Sequence, residues 1–323
     1  MGDASVSSSS SLYLRLFGKE WKTTPTTMPD ASRSYCAYAS FLEEDRHFLL
    51  GGRDAWNVRS SAVVEYDAAS QTFATSHTPL PEPRNSGRAV AINDHCIALV
   101  GGMESIILKT TAETETAEAA AAETDDAETE TAETVKSCLL YDTRTKQWSA
   151  LPELQTKRQE HSCVVFQDCI YAIGGRKKGT YDAVCRVEKL NLSKNEPSWE
   201  RANRLGEERV GCCAVVDPQN NDILVVGGWN KPALKLASCE AIVNRWRKIP
   251  PLATERCFHA AVVVEKRFLV VMGGRNNTGC LASVEVLDLA AAEEAQAWRP
   301  LPPMQRARSQ FTLAAGGANA KSP

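Results

Sequence analysis

Two kinds of residue recur along this chain at spacings that invite chemistry. Arginines stand at Arg33, Arg84, Arg158, Arg209 and Arg256, each 16 to 18 residues ahead of a glycine doublet. Three positions past each arginine, and past Arg308, runs the series Cys36, Gly87, His161, Cys212, His259, Phe311. Two histidines and two cysteines in one register are ligand types for a transition metal. They alternate with Gly and Phe and fall in separate repeats, so packing and hydrogen bonding near an inner strand is the expectation. His47, His77 and His95 read as isolated loop residues, and the eleven cysteines contain no CxxC pair, so no metal site is assigned. The arginines have two possible uses: anchoring the start of a repeat, or offering a fork of donors to a partner's carboxylates. No Ser/His/Asp pattern, phosphate loop or distinctive carboxylate pair occurs, so no catalytic residue and no cofactor is expected.

The elements that must position these residues are short strands. Gly51-Gly52, Gly101-Gly102, Gly174-Gly175, Gly227-Gly228 and Gly273-Gly274 each close an apolar run such as Ile223-Leu224-Val225-Val226. After the doublet comes a pair such as Tyr66-Asp67, Tyr141-Asp142, Leu190-Asn191, Cys239-Glu240 or Leu287-Asp288, and then Phe73, Trp148, Trp199, Trp246 or Trp298. Self-similarity at about 50 residues means an array of one small β unit. Each unit holds four strands separated by turn residues. One four-stranded sheet cannot bury both its faces, whereas stacking such sheets around an axis does. The pattern resembles the kelch repeat, whose unit is a four-stranded propeller blade, over nearly the whole chain. That resemblance implies an all-β propeller with the large aromatic of outer strand d packed between blades.

Six blades are expected, one of them split between the termini; five full blades plus partial strands is the alternative. Leu14 and Trp21 would belong to strands c and d of the split blade, and residues 309–315 to its strand a. The domain reading is a disordered tail over 1–11, a propeller over 12–315 and a tail over 316–323. Met1 to Ser11 lacks the basic start and apolar core of a signal peptide, and no apolar run approaches a membrane span. The eleven cysteines then fit buried thiols in a reducing compartment, and the expected location is cytoplasmic or nuclear. A BTB or F-box segment ahead of the propeller is not expected.

Blade II carries about 25 extra residues in its b–c loop, an Ala/Glu/Thr run over 110–134 that is expected to be disordered. Residues 103–136 have a net charge of −8 within a chain of −3, leaving the remainder at +5. Strands alternate in direction, so the b–c and d–a loops share one face. That face collects Arg53, Arg176, Lys177, Lys178 and Arg275 from b–c loops, with Arg84, Arg158, Arg209 and Arg256 from d–a loops. Trp56, Tyr181 and Trp229 lie in the same loops and are candidate aromatic anchors. These twelve residues are the expected partner-binding set. The implied function is a non-enzymatic interaction scaffold or substrate-recognition module, including a ubiquitin-ligase adaptor, that takes an acidic protein or peptide. An intracellular kelch enzyme acting on a small molecule at the central channel is the alternative. Membrane contact is not expected and nucleic acid is disfavoured, because the chain is net acidic and its basic loops carry no motif.

Overall fold

The computed structural model describes residues 12–14, 21–23, 34–54, 56–68, 70–75, 77–108, 129–178, 183–231, 234–243 and 247–311, apart from 42–45. Five four-stranded antiparallel sheets follow one another along the chain. Blade I holds strands a to d at Ala37–Phe41, Arg46–Leu50, Val63–Asp67 and Thr72–Ala74. Blade II holds Arg88–Ala91, Cys96–Val100, Cys138–Asp142 and Gln147–Leu151. Blade III holds Ser162–Phe166, Cys169–Ile173, Val187–Asn191 and Trp199–Arg201. Blade IV holds Cys213–Asp217, Asp222–Val226, Cys239–Ala241 and Arg247–Ile249. Blade V holds Ala260–Val264, Phe268–Met272, Val284–Asp288 and Arg299–Leu301. The fold is an all-β propeller, and no described residue lies in an α-helix. Among the described residues, no helix is long and apolar enough to cross a membrane.

Strand b is buried along its whole length in blades II, III and IV, because neighbouring blades cover both of its faces. The a strands of successive blades lie side by side from I to V. An indole in or just before strand d ties blades II, III and V to the blade before: Trp148 Nε1 donates to Thr78 O at 3.1 Å, Trp199 to Pro152 O at 2.9 Å and Trp298 to Pro250 O at 2.8 Å. Trp246 lies outside the described residues.

A backbone belt completes the assembly. Ser86 N donates to Tyr35 O, Glu160 N to Ser86 O, Gly211 N to Glu160 O, Phe258 N to Gly211 O and Gln310 N to Phe258 O, at 2.7 to 3.0 Å. All six residues sit two positions after the repeated arginine, with left-handed φ between 54° and 61°. Five of the six are not glycine, so the backbone there carries a strain that the belt over-determines.

The terminal segments enter as a two-stranded hairpin, Leu12–Leu14 against Trp21–Thr23, with Leu14 opposite Trp21. Residues 1–11 and 312–323, which hold both expected tails, lie outside the described residues. The expectation of disorder across 110–134 is corrected at its end. Thr129–Thr134 is a strand, pairing in register with Met103–Leu108, and Met103-Glu104 pairs in turn with Arg84-Asn85. Residues 109–128 are not described.

Candidate partner-binding face

Each b–c loop starts by pairing with the segment just after its blade's arginine. Ser34 bridges Arg53, Asn85 pairs with Met103, Gln159 bridges Arg176, Val210 bridges Trp229 and Cys257 bridges Arg275. Arg53, Met103, Arg176, Trp229 and Arg275 therefore hold equivalent places on one face. Four of these five belong to the set expected from sequence.

Burial then divides that set. Arg84, Arg158, Arg209 and Arg256 are 3%, 0%, 1% and 0% exposed. They cannot touch a partner, and their assignment to partner binding is corrected to a framework role. Each guanidinium caps its own blade: Arg158 Nη1 donates to Gly174 O and Arg186 O, Arg209 Nη1 to Gly227 O and Ser238 O, and Arg256 Nη1 to Gly273 O and Ser283 O. The same residue's carbonyl accepts from the doublet of the preceding blade, as Gly102 N does to Arg158 O at 2.9 Å and Gly175 N to Arg209 O at 2.8 Å. One arginine thus rivets two blades. The charge is met by a buried glutamate of strand c: Glu188 for Arg158, Glu240 for Arg209 at 2.6 Å, and Glu285 for Arg256. The second oxygen of each glutamate accepts a d–a loop amide, from Gln155, Gly206 and Ala253 respectively, at 2.7 Å. Burial lowers Arg84 to about 10 and also lowers Arg158 and Arg256, while Glu188 and Glu285 pull the last two back up.

These glutamates were missed in the sequence, and the register explains the miss. Glu188, Glu240 and Glu285 stand opposite Ala172, Val225 and Val271 of strand b. Cys239-Glu240 is therefore the counterpart of Val187-Glu188 and Val284-Glu285, not of the pair Leu190-Asn191. A Glu set 12 to 14 residues after the doublet in three repeats was the available signal.

Trp229 is also corrected. It is 7% exposed, packed with Ala183, Val210 and Cys257, under the cations of Arg176 and Lys235 at 5.7 and 5.5 Å from its ring. It serves as a platform for charge and not as a projecting anchor. Arg176 is half-buried and held bidentately by Glu160 at 2.7 and 3.2 Å, which neutralises part of the expected basic face. Tyr181 lies outside the described residues. Lys178 is exposed, but its backbone N donates to Thr134 Oγ1 at 2.8 Å and its ammonium to Ala132 O. Together with Lys157, 3.0 Å from Glu133, it docks the returning strand of the long hairpin on blade III.

The remaining expected residues are presented outward. Trp56 is 87% exposed and Val58 54%. Their loop is fixed from within: Asp54 Oδ1 accepts from Trp56 N at 2.9 Å and Val58 N at 2.8 Å, and Arg53 Nη1 donates to Asn57 Oδ1 at 2.6 Å. Lys177 and Arg275 are exposed, and Arg275 makes no ion pair among the described residues. Arg88, inside strand a of blade II, is half-buried and among the described residues donates to Gly87 O at 3.1 Å.

The family scan agrees with this architecture. The Attractin/LZTR1 beta-propeller model matches residues 47–283. The chain belongs to that kelch-repeat β-propeller family. Among curated relatives, it is 28% identical to alpha-scruin of Limulus polyphemus over 51% of this chain and 18% of that one. It is 27% identical to Kelch-like protein terF of Aspergillus terreus over 48% and 30%, and 22% identical to Kelch-like protein 41b of Danio rerio over 86% and 42%. The chain spans less than half the length of each of these relatives. The solved structure of YjhT superposes with a TM-score of 0.70 over 90% of both chains at 15% identity, a likeness of fold alone. Kinship of this kind suggests a protein-interaction module.

The ring that could have housed kelch-type chemistry is filled with packing. His161 and His259 are 0% and 5% exposed, and neither ring nitrogen of either residue has a hydrogen-bond partner among the described residues. The His161 ring covers Gly101, that of His259 covers Gly227, and that of Phe311 covers Gly273. A Cβ on any of these glycines would meet the ring at 3.3, 2.9 or 2.6 Å. The doublet glycine is thus the seat for the next blade's ring. Burial lowers His161 well below its ordinary value and His259 to about 3, so both are neutral at physiological pH.

Proposed function

We propose that the protein is a non-enzymatic interaction module that captures an acidic, partly apolar protein segment on the face of the b–c and d–a loops. Trp56 supplies the aromatic anchor, with Val58 beside it. Lys177 and Arg275 supply charge, and Arg88 supplies a cation nearer the axis. Arg53 positions the Trp56 loop. The observation that carries this reading is an almost fully exposed tryptophan on a loop locked by Asp54. A large aromatic held outward at low entropic cost is the kind of residue that dominates binding energy at interfaces. Exposed bases beside it add encounter rate and specificity more than affinity. An adaptor role in protein degradation would use the same face to hold a substrate, and a cytoplasmic or nuclear setting suits a chain with eleven cysteines.

The test is fluorescence anisotropy with a labelled glutamate- and leucine-containing peptide, comparing the full chain with its Trp56→Ala variant. The variant is expected to bind at least about tenfold more weakly, in the range of an interface hot spot, with an unchanged unfolding midpoint. Equal affinity would remove Trp56 and this mode of capture.

A further inference from the structure

The face opposite the b–c loops carries a second cluster, built on blade II. His95 ends the a–b turn, Cys96 opens strand b and Asp142 closes strand c. Cys96 and Asp142 are direct cross-strand partners. A ring nitrogen, a thiol sulfur and a carboxylate oxygen from these three residues lie within 4.8 Å of one another.

The register that brings them together recurs, but its contents differ. In blade V the residue before strand b is Arg267 and strand c ends at Asp288. The two form a bidentate ion pair at 2.9 and 2.7 Å. Blade II replaces that cation with a histidine and puts a cysteine across from the aspartate. No cation of the chain pairs with Asp142 there among the described residues. His95 Nδ1 is buried and has no hydrogen-bond partner among the described residues, which is costly for a polar atom unless something fills the position.

The backbone that carries the cluster, and one oxygen of its carboxylate, are fixed by neighbours. Asn93 Oδ1 accepts from His95 N at 3.1 Å and Cys96 N at 2.8 Å. The His95 carbonyl accepts from Thr143 N at 2.9 Å and Thr143 Oγ1 at 3.0 Å. Asp142 Oδ1 accepts from Arg144 N at 2.8 Å and Thr145 N at 3.1 Å. This fixes the carboxylate while leaving its other oxygen available. The two bonds to Asp142 Oδ1 are of the outer kind that orients a metal-ligating carboxylate.

We propose that His95, Cys96 and Asp142 form a site for a zinc-class divalent cation, with three protein ligands and a fourth position open to water. Nitrogen, sulfur and oxygen donors together suit this borderline-soft ion, whose bonds of about 2.0–2.3 Å in a tetrahedron bring donors within roughly 3.3–3.8 Å. From separations of at most 4.8 Å, the side chains need to close by no more than about 1.5 Å. The metal bonds to the Cys96 thiolate, and the thiol proton leaves to solvent. A bound ion would tie the a–b turn to the c–d turn in the one blade whose opposite end supports the long hairpin.

The experiment uses the untagged, reduced full chain and Co2+ as a spectroscopic probe, followed by displacement with Zn2+. One equivalent of Co2+ should bind with a thiolate-to-cobalt charge-transfer absorption. Cys280→Ser, which removes the exposed thiol, should leave the band intact, and Cys96→Ser should abolish it. His95→Gln and Asp142→Asn should weaken binding at least about tenfold, equivalent to about 1.4 kcal/mol. Circular dichroism checks that each variant folds. Should Cys96→Ser fail to fold, His95→Gln, altered in the turn, still decides. Absence of a thiolate band in the wild type, its persistence in folded Cys96→Ser, or undiminished affinity in His95→Gln would overturn the site.

Discussion

Blades III to V and blade II solve the same problem with different residues. In blades III, IV and V a buried arginine meets a glutamate from strand c: Glu188, Glu240 or Glu285. In blade II the equivalent place on strand c is Leu139, opposite Leu99. Arg84 is nonetheless buried and still needs a countercharge, and it finds Glu104 on the outgoing strand of the long hairpin. Ser137 Oγ donates to the same Glu104 oxygen at 2.9 Å. The comparison shows that a buried guanidinium fixes a requirement and not a residue. It also shows that the base of the insertion is part of the framework. An uncompensated charge in that setting costs several kcal/mol, so the hairpin strands next to Arg84 are held whatever the composition beyond them favours.

That contrast can be broken at either end. Replacing Glu188 by Ala leaves Arg158 buried and unpaired and also removes the acceptor for Gln155 N. A loss of about 3–5 kcal/mol is expected from a broken buried pair, read as a fall in the urea midpoint. A loss below about 1 kcal/mol, the level of an exposed pair, would contradict the rivet. Glu104→Ala should cost less, about 1.5–3 kcal/mol, the value of a hydrogen bond to a charged group, because the Glu104 side chain is 18% exposed against 1% for Glu188. The comparison sharpens if Leu139→Glu, which installs the strand-c carboxylate of the other blades, recovers part of that loss in the double variant. No recovery would mean that blade II cannot accept the common solution.

A pH-dependent effect separates the two histidine seats from the seat filled by Phe311. The folded pKa values of His161 and His259 lie below the value of about 6.5 for an unfolded histidine. The unfolded chain therefore binds more protons once the pH drops below about 6.5. Their contribution to stability is intact above that pH and is lost as the pH falls from there toward 3. The slope is about 1.4 kcal/mol per pH unit for each histidine. His259→Phe, which copies the residue of the third seat, should flatten the acid limb of a melting-temperature profile relative to the wild type. Parallel profiles would show that burial does not hold this histidine neutral.

Much of the framework was legible in the sequence. The doublets, the arginines and the d-strand tryptophans recur with the blade because each has one repeated job in it. What burial does to charge was not legible. Arg84, Arg158, Arg209 and Arg256 read as candidate surface cations because arginine is usually exposed; the recurring glutamate after three of the doublets was the signal passed over, and Glu104 beneath Arg84 follows no repeat. Trp229 read as an anchor because it shares a position with Arg53, Arg176 and Arg275, yet pairing with Val210 and the cover of Arg176 and Lys235 bury it. Thr129–Thr134 reads as disordered by its acids, and its pairing with Met103–Leu108 depends on a partner more than 20 residues away. Trp56 was placed correctly in its loop, but its outward pose depends on Asp54 hydrogen bonds that composition does not reveal.

The central claim is that repeated residues build the propeller while the exposed residues above them bind. It is tested most directly by salt titration of acidic-peptide affinity in the wild type and in Lys177→Glu/Arg275→Glu. Surface charges away from buried networks change stability by no more than about 0.5 kcal/mol, so the variant should melt like the wild type. Its affinity should be at least about tenfold lower at low salt, and the gap should close as salt screens the exposed charges. Identical low-salt affinities in the two proteins would contradict the account and move the binding surface elsewhere.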